Sequence, residues 1–181
     1  MGNEFRIFWL AQPVGFEILA INTMTHVSLR FLGGFEVTVD DQPVAHFATD
    51  KTRALLAYLA LEPQHPHSRS SLAGFLWPEI SERQARDNLR NTLYRLRKTL
   101  DDAAHGTSDQ VLVVTRHSVA FRAESAYVDA SDFRTITDGV AAHPHDTLHD
   151  CPVCLSRLSE ALDLYQGELL AGFSLPDAPP F

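Results

Sequence analysis

The chain has 181 residues, 45% hydrophobic and 21% charged, with a formal net charge of −8. That is the composition of an ordinary globular protein of one or two domains, long enough to bury a real core. Its two cysteines, Cys151 and Cys154, stand too close together to staple a secreted domain, so a reducing, cytoplasmic setting is expected. The acidity is uneven. Residues 123–181 hold two basic and ten acidic groups, whereas residues 24–122 hold twelve basic and eleven acidic groups, a net of +1. An acidic total therefore does not exclude an anionic partner, because a local basic face acts within a short Debye length.

In the first segment, Phe5 to Ile21 is apolar but interrupted by Gln12, Pro13 and Glu17. It is too short for a membrane span and lacks a small-residue cleavage site. We expect residues 1–24 to be a poorly ordered N-terminal extension and anticipate no membrane partner. From His26 to Val39, apolar residues alternate as Val27/Leu29/Phe31 and Phe35/Val37/Val39 around Gly33-Gly34, which predicts two strands. Asp40 to Pro43 reads as a turn and Val44 to Phe47 as a short third strand, completing a small antiparallel sheet.

Thr49 suits the N-cap of a helix to about Leu61 that buries Leu55, Leu56, Leu59 and Ala60. Pro63 ends it, and a loop runs to His67. Ser68 opens a second helix, Arg69 to Leu76, burying Leu72, Phe75 and Leu76; Trp77 to Ile80 is a short turn. Ser81 and Gln84 then form a capping box. Behind it Ala85, Leu89, Leu93, Leu96 and Leu100 recur at steps of three and four, the period of one buried helical stripe. A turn of about 100° per residue puts Arg83, Asp87, Arg90, Asn91, Tyr94 and Lys98 opposite that stripe, with Arg86, Arg95 and Arg97 on the flanks.

Between Arg83 and Lys98 lie six basic residues and one acidic residue, Asp87. Arginine can meet guanine bidentately, asparagine can meet adenine, and lysine or tyrosine can hold phosphate. An exposed helix whose charges only solvate it would carry the same residues, so the neighbours decide. Asp101 to Gln110 reads as a polar loop. Val111 to Val114 and Val119 to Arg122 read as a hairpin around Thr115-Arg116-His117-Ser118. Helix, short turn, basic helix and hairpin in that order are the layout of a winged helix. Arg116 at the hairpin tip would reach an adjacent phosphate or the minor groove, although a hairpin that merely completes a sheet would look alike.

The runs L-R-F-L-G-G-F-E-V, T-R-A-L-L-A-Y-L-A-L, L-A-G-F-L-W-P-E and N-L-R-N-T-L-Y-R-L-R-K-T-L, in that order between Val27 and Arg122, resemble the DNA-binding domain of the Streptomyces antibiotic regulatory protein family. These are bacterial transcriptional activators with an OmpR-type winged helix. Y-V-D-A-S-D-F (Tyr127 to Phe133) and L-S-E-A-L-D-L-Y-Q-G-E-L-L-A-G-F (Leu158 to Phe173) are similar to the bacterial transcriptional activator domain that follows it. The resemblance implies an α+β winged helix over residues 25–123, with an N-terminal antiparallel sheet, three helices and a C-terminal wing hairpin. It implies that residues 124–181 are the truncated start of a helical-repeat segment. It further implies sequence-specific binding of double-stranded DNA, with helix 82–100 in the major groove and wing 111–122 on the adjacent backbone or minor groove. RNA polymerase would be a partner, and two chains would meet on DNA repeats.

Within that reading Arg83, Asp87, Arg90, Asn91 and Tyr94 would face base edges. Arg86, Arg95, Arg97 and Lys98 would meet phosphates, with Lys51, Thr52, Arg53, Arg69 and Arg116 as further phosphate candidates. His143, His145, His149, Cys151 and Cys154 crowd into twelve residues. Cys151, Cys154, His149 and His145 could together hold zinc, since thiolate and imidazole suit its tetrahedral shell. A redox pair, or two small half-buried residues opening a Pro152 to Leu170 helix, are the other readings. No phosphate-cradling glycine loop, H-E-x-x-H, G-x-S-x-G or paired-carboxylate motif is present, so no enzyme activity is expected. The alternative to DNA binding is a protein-interaction module that keeps only the winged-helix shape.

Overall fold

The computed structural model describes residues 25–144, 147–175 and 178. The expected extension 1–24 and His145 lie outside the described residues. The N-terminal sheet is built from β1 (Val27–Arg30), β2 (Glu36–Val39) and β3 (Gln42–Pro43). β1 pairs antiparallel with β2, Val27 opposite Val39 and Leu29 opposite Val37, so these four alternating residues all turn inward. The third strand is Gln42–Pro43, not Val44 to Phe47. Asp40 and Asp41, with φ of 49° and 61°, make the whole reversal in two residues, and such a turn suits the twist of a hairpin. Asp40 also closes it by accepting the His26 N–H at 2.8 Å.

Helix α1 (Asp50–Leu61) is capped by Thr49, whose hydroxyl accepts from the Thr52 N–H. Ala54, Leu55, Leu56, Ala57 and Leu59 are all fully buried, which makes α1 the central helix. A two-residue strand β4 (His67–Ser68), absent from the sequence reading, follows and adds to the wing by pairing His67 with Val119. Two residues carry no period, so no pattern could announce it. Ser68 is also the N-cap of α2 (Arg69–Leu76), accepting from the Ser71 N–H at 3.0 Å.

Helix α3 (Glu82–Ala103) starts where the capping box requires, and Ser81 Oγ donates to Gln84 Oε1 at 2.8 Å. Its end corrects the expected loop over Asp101 to Gln110. The helix runs to Ala103, and a further helix α4 (Thr107–Val111) fills the remainder. The Asp101 carboxylate organises this corner by accepting from Ser108 N–H at 2.9 Å and Ser108 Oγ at 2.8 Å. The wing is β5 (Leu112–Val114) and β6 (Ser118–Phe121), paired antiparallel. With β4 it forms a three-stranded sheet in the order β4-β6-β5.

The segment from residue 124 onward is stitched to the first sheet. β7 (Tyr127–Val128) lies parallel to β1, giving the order β3-β2-β1-β7. Asp129, which opens α5 (Asp129–Ala142), is buried and accepts the Phe31 N–H at 2.8 Å and the Leu32 N–H at 3.0 Å. Helix α6 (Pro152–Leu164) packs along α5 and ends six residues before the expected Leu170. The chain then returns: Leu170 N–H donates to Phe31 O at 2.7 Å, and Gly33 N–H donates to Glu168 O at 3.0 Å. Gly33 (φ 104°) needs its missing side chain, because a Cβ there would lie 3.0 Å from the Gln166 carbonyl. Phe173 stacks on Phe35, and Leu175 and Ala178 join the same core as the strands and α1. Among the described residues no helix is long and apolar enough to cross a membrane.

Candidate nucleic-acid interface

Helix α3 divides its residues as the stripe demands. Ala85, Leu89, Leu93, Leu96 and Leu100 are buried, together with Thr92. Arg83, Arg86, Asp87, Arg90, Asn91, Tyr94, Arg95 and Lys98 are exposed, and Arg97 is half-buried. Tyr94 keeps 69% of its surface open, an unusual place for an aromatic ring with no partner to meet.

Several of the exposed residues gather in two places, while Tyr94 and Lys98 line a separate hollow with Arg69, Arg90 and Arg97. On the wing side, Arg86 and Arg90 of α3, Arg69 and Ser70 at the start of α2, and Arg116 and His117 at the wing tip line a cleft of about 450 Å³. Sequence separation hides this convergence, and the backbone makes it. The Arg69 N–H donates to His117 O at 3.0 Å, and its guanidinium donates to Thr115 O at 3.1 Å, which clamps the wing tip to the first turn of α2. Among the described residues no carboxylate lines the cleft itself, and its four guanidinium groups share one field, Arg86 and Arg90 being paired outside it with Glu82 and Asp87. On the opposite flank, Asn88, Asn91 and Arg95 of α3 meet Thr49, Lys51 and Trp77 around a smaller hollow of about 210 Å³. Asn88 and His117 were not among the residues expected from sequence. Helical spacing could have placed Asn88, but nothing local places His117.

The cations of α3 are held by weak surface pairs. Arg86 pairs with Glu82, Arg90 with Asp87 at 3.5 Å, and Lys98 with Asp102 at 2.6 Å. The hydrogen bond to Asp102, then its charge, raises the Lys98 ammonium above its ordinary value. Exposed pairs of this kind contribute little, so a phosphate can replace the carboxylate at small cost. Arg97 is committed elsewhere, bonding Asp109 at 2.6 Å and Ser108 at 3.3 Å across to α4.

Of the three phosphate candidates near α1, one is corrected by its surroundings and two are engaged locally. Thr52 is fully buried and its hydroxyl pairs with Thr49 Oγ1 at 3.0 Å, so it faces no solvent. Lys51 donates to Leu76 O at 2.5 Å and sits 5.7 Å over the Trp77 ring, bracing the end of α2. Arg53 meets Asp50 at 3.3 Å and lies over the Phe35 ring.

The cysteine–histidine set is also rearranged. His143, Cys151 and Cys154 place their ligand atoms within 4.8 Å of one another, whereas His149 is exposed beside Asp150 at 3.2 Å. Cys151 is the N-cap of α6, and the Cys154 backbone N–H, more than any other contact, lowers its thiol below the usual value. Burial raises the Cys154 thiol.

No family model and no curated protein matches the chain. Among solved structures, the chain is similar to that of Mycobacterium tuberculosis EmbR in complex with a low-affinity phosphopeptide, at 26% identity and a TM-score of 0.61. The match covers 81% of this chain and 37% of that one, so this chain spans little more than a third of its length. The likeness supports a fold like that of the Streptomyces antibiotic regulatory proteins.

Proposed function

We propose that this chain is a transcriptional regulator that binds double-stranded DNA in a sequence-specific way. The observation that carries the reading is the wing-side cleft, where Arg69, Arg86, Arg90 and Arg116 converge from two helices and the wing, with no carboxylate among the described residues that line it. Laid along a major groove, α3 would put Arg83, Arg90, Asn91 and Tyr94 toward base edges. Arg86, Arg69 and Arg116 would hold the backbone on the wing side, and Arg95 would hold it on the other flank. Asp87, paired with Arg90, either accepts from cytosine or orients that arginine. The EmbR-like fold supports a regulator of this type, and RNA polymerase and a second chain on repeated sites are the partners that the family resemblance adds. On this reading the protein is a binding protein without catalytic activity.

A second reading, a protein-interaction module, draws on α6, where Leu155, Leu162 and Tyr165 are exposed. Selection of random duplexes at two salt concentrations separates the two. An enriched motif, with affinity falling steeply as salt rises, supports the DNA reading. Arg90→Ala and Asn91→Ala should then relax particular motif positions, each weakening the site by about 1–3 kcal/mol. No duplex binding at low salt would leave only the interaction module.

A further inference from the structure

We propose that His143, Cys151 and Cys154 form a binding site for zinc at the mouth of the α5–α6 hairpin. The three residues occupy structurally fixed positions. His143 is the residue on which α5 ends, Cys151 caps the start of α6, and Cys154 lies in the first turn of α6. The two helices pack along each other, so the residues that close one and open the other are held face to face.

The spacing already approaches a coordination shell. Cys151 Sγ and His143 Nδ1 are 3.7 Å apart, and all three donor atoms lie within 4.8 Å of one another. With Zn–S near about 2.3 Å and Zn–N near about 2.0–2.1 Å, a tetrahedron needs an S···N edge of about 3.6 Å and an S···S edge of about 3.8 Å. One edge is in place, and the widest needs to close by no more than about an ångström, within reach of a side-chain rotation. Two thiolates and a neutral imidazole suit zinc rather than magnesium or calcium, which take oxygen, and their two negative charges balance the ion. Cys154 is fully buried while His143 and Cys151 are half-buried, so the fourth position opens toward solvent and takes water or a further donor. Bound there, zinc ties the end of one helix to the start of the next, and because the unfolded chain holds no such site its binding free energy adds to folding.

The test is a titration of the full chain, reduced and stripped of metal, with Co²⁺ and then Zn²⁺. We expect one Co²⁺ per chain with the thiolate charge-transfer band and visible bands of a tetrahedral site, displaced by Zn²⁺, and a rise in melting temperature on loading. His143→Ala should weaken Zn²⁺ at least about 100-fold, since loss of even an outer-shell partner costs about 10–100-fold. Cys151→Ser should weaken binding and cut the charge-transfer band per bound Co²⁺ to about half, since one of two thiolates is lost, and His149→Ala should leave affinity and spectrum unchanged. Cys154→Ser fills a buried position and is read only if its circular dichroism matches the parent; the half-buried His143 and Cys151 variants keep the test decisive if it does not. A chain that binds no Co²⁺ while its thiols are reduced overturns the site, as does an affinity indifferent to His143→Ala. So does a Co²⁺ spectrum without thiolate bands. Duplex binding by His143→Ala is expected to equal that of the parent, so the zinc site and the DNA face stand or fall separately.

Discussion

Helices α3 and α6 invite comparison because each is amphipathic and each packs on a neighbour, yet they finish differently. Every leucine of α3 but none of its arginines is buried, so the helix is complete against its own domain and its outer side is given over to charge. Along α6 only Cys154 and Ala161 are buried, while Leu155 and Leu162 keep 47% and 70% of their surfaces open. A helix that buries small residues and exposes large ones draws little stability from its own packing. The contrast places the anchoring of the fold in the N-terminal part. It makes the α5–α6 hairpin a weaker attachment held at its joints.

Substitutions can break or sharpen that contrast. The largest effect is expected at Leu96, fully buried in α3, where Leu96→Ala should cost about 2–5 kcal/mol in urea unfolding. Leu162→Ala on α6 should stay within about 0.5 kcal/mol, and equal losses would abolish the distinction. Next comes the joint itself. Asp129→Ala leaves the Phe31 and Leu32 N–H groups buried without their acceptor, at a cost of about 2–3 kcal/mol, and should raise hydrogen exchange in α5 and α6 before α1. Smaller again is the effect on DNA. Arg116→Ala should weaken duplex binding about tenfold across all sequences and flatten the salt slope by about 1, as loss of a phosphate contact does. Arg157→Ala, on α6, should change neither; a matching loss there would move the interface off the α3 face.

Much of α3 was readable because a helix is periodic with its own neighbours. Ser81 and Gln84 mark its start, and five apolar residues mark its inner side. The same reasoning misjudged where short-range chemistry overrides period. Asp40 and Asp41 both take positive φ, so the turn closes two residues earlier than composition suggests and the third strand moves to Gln42–Pro43. Asp101 caps Ser108 and turns a polar stretch into α4. Thr52 read as a phosphate candidate because it lies near the start of α1, but position 52 lies on the inner side of that helix. Among the histidines, the sequence favoured His149 and His145, and His145 lies outside the described residues. Among the described residues it is His143, at the end of α5, whose ring reaches the Cys151 sulfur.

The sequence by itself determined the succession β1, β2, α1, α2, α3 and wing hairpin, the buried face of α3 and the basic character of its outer side. These follow from spacing and capping between residues a few positions apart. Only the tertiary structure decided which cations converge. Arg69, Arg90 and Arg116 meet because the main chain of α2 hydrogen-bonds to the wing tip. It also decided that the C-terminal segment is sewn to the first sheet, through a carboxylate at Asp129 bonded to a backbone N–H 98 residues away. Such contacts are set by where backbone donors and acceptors come to rest, and periodicity along the chain carries no record of that.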